Sequence, residues 1–250
     1  VNKFMSEDSK AILNKLKELN KKKSLSIFLP SLGKKSKFLP FTLKQQKTIL
    51  SSMPSDASGL MNFNNTFNSI IVENSEEELD LNSLTTFDRT SIILSFRSST
   101  VGNVYENEDG KVNVNTVIKK LAEYDYKDLF EEKEISLKDL SVKVKVPDLN
   151  YDSTINNQIS KKLTKKTSTQ EIVSELYTSE ILKYIIEVTI EDTTVNLRNM
   201  NYYDKLELVE QLPGNFVKKI LAFIQSAKQI ETDLTTIDGV SVDVSNDLFS

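Results

Sequence analysis

The residues best placed to do chemistry in this chain are carboxylates. Glu76, Glu77, Glu78 and Asp80 form one acidic run, and Tyr105-Glu106-Asn107-Glu108-Asp109-Gly110 has the outline of a calcium-binding loop. The loop fails on register. With Gly110 at the sixth position, Tyr105 and Thr116 fall at the first and twelfth, where an EF-hand needs carboxylates. Asp109-Gly110 between Val104 and Val112 is better read as a hairpin turn. The acidic run reads as solvated surface unless other ligands converge on it. A carboxylate glycosidase needs two acids roughly 5–9.5 Å apart, and many pairs here meet that requirement in principle. Against it, the chain has no Trp and few aromatic side chains beside its acids to stack on sugar rings.

The residues that are missing exclude more. Cys and His are both absent, so no thiol nucleophile, Ser-His-Asp triad or zinc site with nitrogen or sulfur ligands can be built. The six glycines are Gly33, Gly59, Gly102, Gly110, Gly214 and Gly239, too scattered for a dinucleotide or phosphate loop. Only Arg89, Arg97 and Arg198 are arginine, and the net charge is -4. Readers of nucleic acid rely on Arg for bidentate contacts, so nucleic acid is not an expected partner. The sequence leads to no expected cofactor or metal and to no enzyme. The N-terminus is charged throughout, without the apolar core of a signal peptide, and no segment approaches the ~18 apolar residues of a membrane span. These features describe a soluble protein working in a cytoplasm or within an assembled particle.

The elements that would position any surface are mostly helical. Ile12, Leu16 and Leu19 form a stripe on a helix over residues 6–20, with Ser6 as its cap and Lys21, Lys22 and Lys23 at its negative end. That stripe must dock, either on its own domain or on a neighbouring subunit. Leu25, Ile27 and Leu29 alternate as a strand; Gly33 and Lys34 mark a turn, and residues 38–41 form the return. Lys34, Lys35 and Lys37 then cluster at the hairpin tip, as solvated turn residues or as a contact to an acidic partner. Thr42 and Gln45 make a capping box for a helix running to Met53, and residues 54–59 break the chain. Leu60, Phe63, Phe67, Ile70 and Ile71 mark the next helix.

A long helix follows over 81–99, with Arg89 and Arg97 on one face. Each Arg either pairs with a carboxylate inside the fold or, for Arg97, meets another subunit. The middle is less legible, with a short helix near 117–124 and a strand through Val142, Val144 and Val146. Ile155 and Ile159 begin a stripe, and residues 161–169 make a polar break. A strong helix covers 170–190, whose β-branched end is already leaving helical geometry. Helices at 202–212 and from Phe216 to Ala227 precede an alternating terminal strand, Val240-Ser241-Val242-Asp243-Val244, that pairs internally or with a partner. The fold class is α+β, predominantly helical with short antiparallel hairpins. It divides into an N-terminal hairpin-plus-helices domain (1–147) and a C-terminal, mostly helical domain with a terminal strand (148–250).

Several of these segments carry a family resemblance. Leu29-Pro30-Ser31, then Phe38, Pro40-Phe41-Thr42 and Lys44-Gln45-Gln46-Lys47, and later Phe96-Arg97-Ser98-Ser99-Thr100-Val101-Gly102, resemble the baseplate hub subunits of T-even-type contractile-tailed phages. The clear similarity spans about residues 24–102. None of these motifs is catalytic. The resemblance implies a structural subunit of the tail baseplate hub, acting through protein surfaces. It would be present in several copies in a symmetric assembly, against other hub, tail-tube or wedge proteins. Its place would be the virion, and the host cytoplasm during assembly. The alternative is a transient assembly chaperone absent from the mature virion. Candidate interface residues are Lys34, Lys35, Lys37, Phe41, Gln46, Lys47, Arg97, Ser99, Gly102, Val242 and Phe249.

Overall fold

In the computed structural model, which describes residues 7–52, 57–163 and 168–243, the first hairpin and its capped helix stand as the spacing requires. Strands β1 (Leu25–Leu29) and β2 (Lys34–Phe38) pair antiparallel, with Ile27 opposite Ser36 and Leu25 opposite Phe38. Gly33 turns the chain at a φ of 59°. The return strand begins earlier than expected, so Lys34, Lys35 and Lys37 lie along β2 rather than at a tip. Lys35 and Lys37 are exposed while Ser36 and Phe38 between and beyond them are buried. Period-two alternation makes this inevitable once Phe38 is inside.

Helix α2 (Leu43–Ser51) opens on the expected capping box. The Gln45 N–H donates to the Thr42 hydroxyl at 3.3 Å, and the Thr42 N–H donates to Gln45 Oε1 at 3.0 Å. Ahead of the hairpin, α1 (Glu7–Lys21) forms as a helix, but its stripe does not dock on the protein's own core. Ile12, Leu16 and Leu19 are each more than half exposed. The Ser6 cap, residues 54–56 of the break expected over 54–59 and residues 164–167 of the polar break lie outside the described residues; residues 57–59 are already helical.

Helix α3 (Ala57–Asn74) buries Phe63, Phe67, Ile70 and Ile71. Helix α4 (Thr86–Thr100) is the central element, with Phe87, Ile92, Ile93, Leu94 and Phe96 all buried. The polar side chains Asp88, Thr90, Ser91 and Arg97 are buried with them, so the helix is enclosed on nearly every side and its polar groups must find partners inside the fold. It starts at Thr86, not Leu81, because Asp88 caps it: its carboxylate accepts the Thr85 N–H at 2.6 Å and the Thr85 hydroxyl at 2.9 Å. Next, β3 (Val104–Asn107) and β4 (Gly110–Asn113) form a hairpin with a turn at Glu108-Asp109, so Tyr105–Gly110 is a hairpin and not a calcium loop. Helices α5 (Val114–Glu123) and α6 (Lys127–Phe130) follow.

The largest sheet has four antiparallel strands in the order β5 (Lys133–Leu137), β6 (Leu140–Val144), β7 (Ile185–Ile190) and β8 (Thr193–Asn196). Helices α7 (Leu149–Leu163) and α8 (Thr169–Tyr184) lie between β6 and β7 in the chain. The strong helix therefore stops at Tyr184, and Ile185 and Val188 are strand residues. Their spacing of three continues the helical stripe, and a register shift opposite Lys143 and Val144 lets both be buried in the strand, so periodicity alone carries the helix too far. The sheet takes two strands from each side of residue 147. Helices α9 (Tyr202–Glu210) and α10 (Gly214–Thr235) close the core, and β9 (Thr236–Ile237) pairs with β10 (Val240–Ser241). The terminal strand thus pairs internally and is only two residues long. Of the described residues 58% are helical, with short antiparallel hairpins, the α+β class expected.

Candidate interaction surfaces

The acidic run Glu76, Glu77, Glu78 and Asp80 is exposed, whereas a set of charged side chains on the helices is turned inward and matched to one another. Asp152 on α7 meets Lys183 Nζ of α8 at 2.8 Å and Arg89 Nη1 of α4 at 3.5 Å. Its Oδ2 also accepts the Asn156 side-chain N–H at 3.1 Å. Lys183 reaches Glu180 at 3.4 Å, and Glu180 binds Lys228 of α10 at 2.6 Å. Burial pushes the Asp152 carboxyl up, but Lys183 and then Arg89 outweigh it and hold it below the ordinary carboxylate value. Lys183 is raised for the reciprocal reason, burial opposing and Asp152 and Glu180 prevailing. Asp148, beside a polar cavity of about 460 Å³, is held by Arg198 at 2.5 Å and accepts the Tyr151 N–H at 2.8 Å. These carboxylates tie α4, α7, α8 and α10 together. Among the described residues no group of three or more Asp or Glu is gathered to hold a metal ion.

The residues that carried the family resemblance form one structural knot. Phe96 is met by the Phe41 ring, tilted by 39° at 4.0 Å between centroids, and edge-on by Phe38 at 6.0 Å. Ser31 donates its N–H to Asp88 at 3.0 Å and its hydroxyl to the Ser83 carbonyl at 2.8 Å. This pins the hairpin turn to the start of α4. Gln45 continues from its capping role to donate to Asn74 Oδ1 at 2.6 Å, joining α2 to α3. Burial pushes the Asp88 carboxyl up, against the Ser31 and Thr85 hydrogen bonds that pull it down.

Arg97 does not pair with a carboxylate inside the fold. Its guanidinium donates to the Gly102 carbonyl and, at 2.7 Å, to the Val104 carbonyl. It also sits 5.7 Å from the centroid of the Tyr105 ring. The planar fork thus closes the turn after α4, where the backbone has left the helix and carbonyls lack partners. Gly102, at a φ of 124°, supplies a conformation that side-chain-bearing residues rarely adopt. Arg89, by contrast, pairs with a carboxylate inside the fold.

The candidate interface residues therefore separate into two sets. Phe41, Arg97 and Val242 are buried at 8%, 5% and 3% exposure, and Gly102 is half-buried. Lys34, Lys35, Lys37, Lys47 and Ser99 are exposed, and Gln46 is half-buried. Phe249 lies outside the described residues. The exposed set extends further than the sequence motifs suggested. Between residues 9 and 47 the chain carries eleven lysines, no arginine and one acid, Glu18, and every one of those lysines is exposed. The remainder of the chain carries a formal charge of -14. A charge tally by segment, rather than over the whole chain, would have found this polarity. Leu13, at 42% exposure, widens the apolar stripe of α1 beyond the three residues singled out by spacing.

A family model described as T4 bacteriophage base plate protein matches residues 21–239. The match runs from the end of α1 through the β9–β10 turn, well past the region of clear motif similarity. No curated protein and no solved structure matches the chain.

Proposed function

The chain belongs to the T4 bacteriophage base plate protein family, and on that premise we propose that it is a structural subunit of the hub region of a contractile tail baseplate. It works by presenting surfaces rather than by transforming a substrate. The observation that carries this reading is the segregation of charge. An acidic protein holds eleven exposed lysines between residues 9 and 47, next to an exposed apolar helix face. A long-range positive field of this kind steers an acidic partner into register. An apolar stripe supplies area that water disfavours leaving open.

Amine acylation and cross-linking of purified particles test this directly. Lys34, Lys35, Lys37 and Lys47 should be protected relative to the free chain and should cross-link to hub or tail-tube proteins. Cross-links found only in assembly intermediates, with the chain missing from particles, would replace the subunit reading by that of an assembly chaperone.

A further inference from the structure

A second surface complements the first. The β5–β6 turn at Lys138-Asp139 and the β7–β8 turn at Glu191-Asp192 stand side by side, joined by the Glu191 N–H donating to the Asp139 carbonyl at 2.7 Å. Together with the α9–α10 corner they enclose an open groove of about 690 Å³. Its floor and walls include Leu137, Leu140, Ile190, Leu208 and Leu212, and Ile190 is 55% exposed. Asp139 and Glu191 line its rim against a single cation, Lys138. Asp192 and Glu210, next to lining residues in the chain, are exposed as well.

The α1 helix has the converse pattern. Ile12, Leu16 and Leu19 lie at i, i+4 and i+7 along about 10 Å of helix axis, with Leu13 beside them; Lys10, Lys15, Lys17, Lys21, Lys22 and Lys23 outnumber Glu7, Asp8 and Glu18 over the helix and its tail. An amphipathic helix with anchors at this spacing is what an apolar groove accepts. Basic flanks on the helix meet acidic rims on the groove.

We infer that the α1 helix of one copy docks into the β-turn groove of a second copy, so that the chain associates head to tail with itself. Charge favours this occupant: the helix with its lysine tail is net basic and the groove rim net acidic. Because the two faces differ, the contact is heterologous, and successive copies close into a ring or run on as a filament according to the rotation between them. One helix in one groove is a small contact, below the area of standard stable interfaces. Association of the isolated chain is therefore weak and strengthens when other subunits hold the copies together. This inference deepens the subunit reading and rests on it. It is read on the purified chain, so its failure leaves the particle cross-linking test untouched.

The experiment is sedimentation velocity of the full chain across a concentration series, at low and high salt, with Leu16→Asp and Ile190→Asp. Both positions are more than half exposed, and thermal melts should confirm that both variants stay folded. The wild-type chain should associate in a concentration-dependent way that salt weakens. Each variant alone should associate at least about tenfold more weakly. An equimolar mixture should regain a dimer and stop there, since it contains one intact helix face and one intact groove per pair. Wild-type chains monomeric throughout the series would overturn the inference. So would undiminished association of Ile190→Asp, which would mean that α1 pairs with α1. A mixture that regains nothing would overturn it too. So would a monomer that instead floats with anionic phospholipid vesicles through α1, as basic amphipathic helices can.

Discussion

Replacing Asp152 by Asn should cost the fold about 3 kcal/mol. The carboxylate is 6% exposed and faces two cations, Lys183 at 2.8 Å and Arg89 at 3.5 Å, whose side chains are themselves only 13% and 12% exposed. Removing one partner of a buried pair typically costs ~3–5 kcal/mol, because the other charge stays buried without compensation. Lys183 keeps Glu180 at 3.4 Å, and the Asn carbonyl can still accept from it, which places the cost at the lower end. For a chain of this length, that lowers Tm by roughly 6–12 °C. Denaturant unfolding and a thermal melt measure both quantities, and a double-mutant cycle with Lys183→Met should show coupling of about 1–3 kcal/mol.

The pH dependence follows from the depressed Asp152 pKa. The unfolded chain takes up the proton first, so this stabilisation is complete above about pH 4 and is lost as pH falls through the folded value. Asp152→Asn should therefore flatten the acid limb of the stability profile. Lys183, being raised, contributes stability below about pH 10 that disappears as pH rises through its folded value. A loss below about 1 kcal/mol for Asp152→Asn, the range of an exposed pair, would refute the claim that this network is a buried anchor.

Other substitutions should separate fold from surface. Arg97→Lys should destabilise by about 1–2 kcal/mol, because an ammonium cannot hold the Gly102 and Val104 carbonyls as a fork does; equilibrium unfolding reads this. Thr42→Ala should cost about 1 kcal/mol through loss of the α2 cap, measured the same way. Lys34→Glu with Lys37→Glu should change stability by less than about 0.5 kcal/mol, as surface substitutions do. That pair should nonetheless reduce recovery of the chain in assembled particles.

The most legible parts of the sequence were those whose physics is local. Thr42 and Gln45 sit three apart in a capping box, and the Asp109-Gly110 signal marked the β3–β4 hairpin, whose turn falls one residue earlier at Glu108-Asp109; neither needed tertiary information. The start of α4 was legible in the same way, since Thr85 and Asp88 have capping-box spacing, but the apolar Leu81 and Leu84 drew the helix too far forward. At Ile185 and Val188 the helical spacing continued into a strand, so the junction after Tyr184 was blurred. The short strands Lys133–Leu137 and Thr193–Asn196 had no periodicity strong enough to announce them. The hydrogen-bond partners of Arg97 are backbone carbonyls, which leave no trace in side-chain identity. Asp152 and Lys183 lie far apart in sequence, and nothing local marks either as buried. The α1 stripe was evident from spacing, but what covers it depends on surfaces that only the folded chain displays.

The central claim is that this base plate family member is a built-in part of the particle. Quantitative mass spectrometry of purified intact virions, counting this chain against the tail-tube protein, tests it most directly. A small fixed stoichiometry is the predicted result. Absence from virions, with the chain present in assembly intermediates of infected cells, would contradict it.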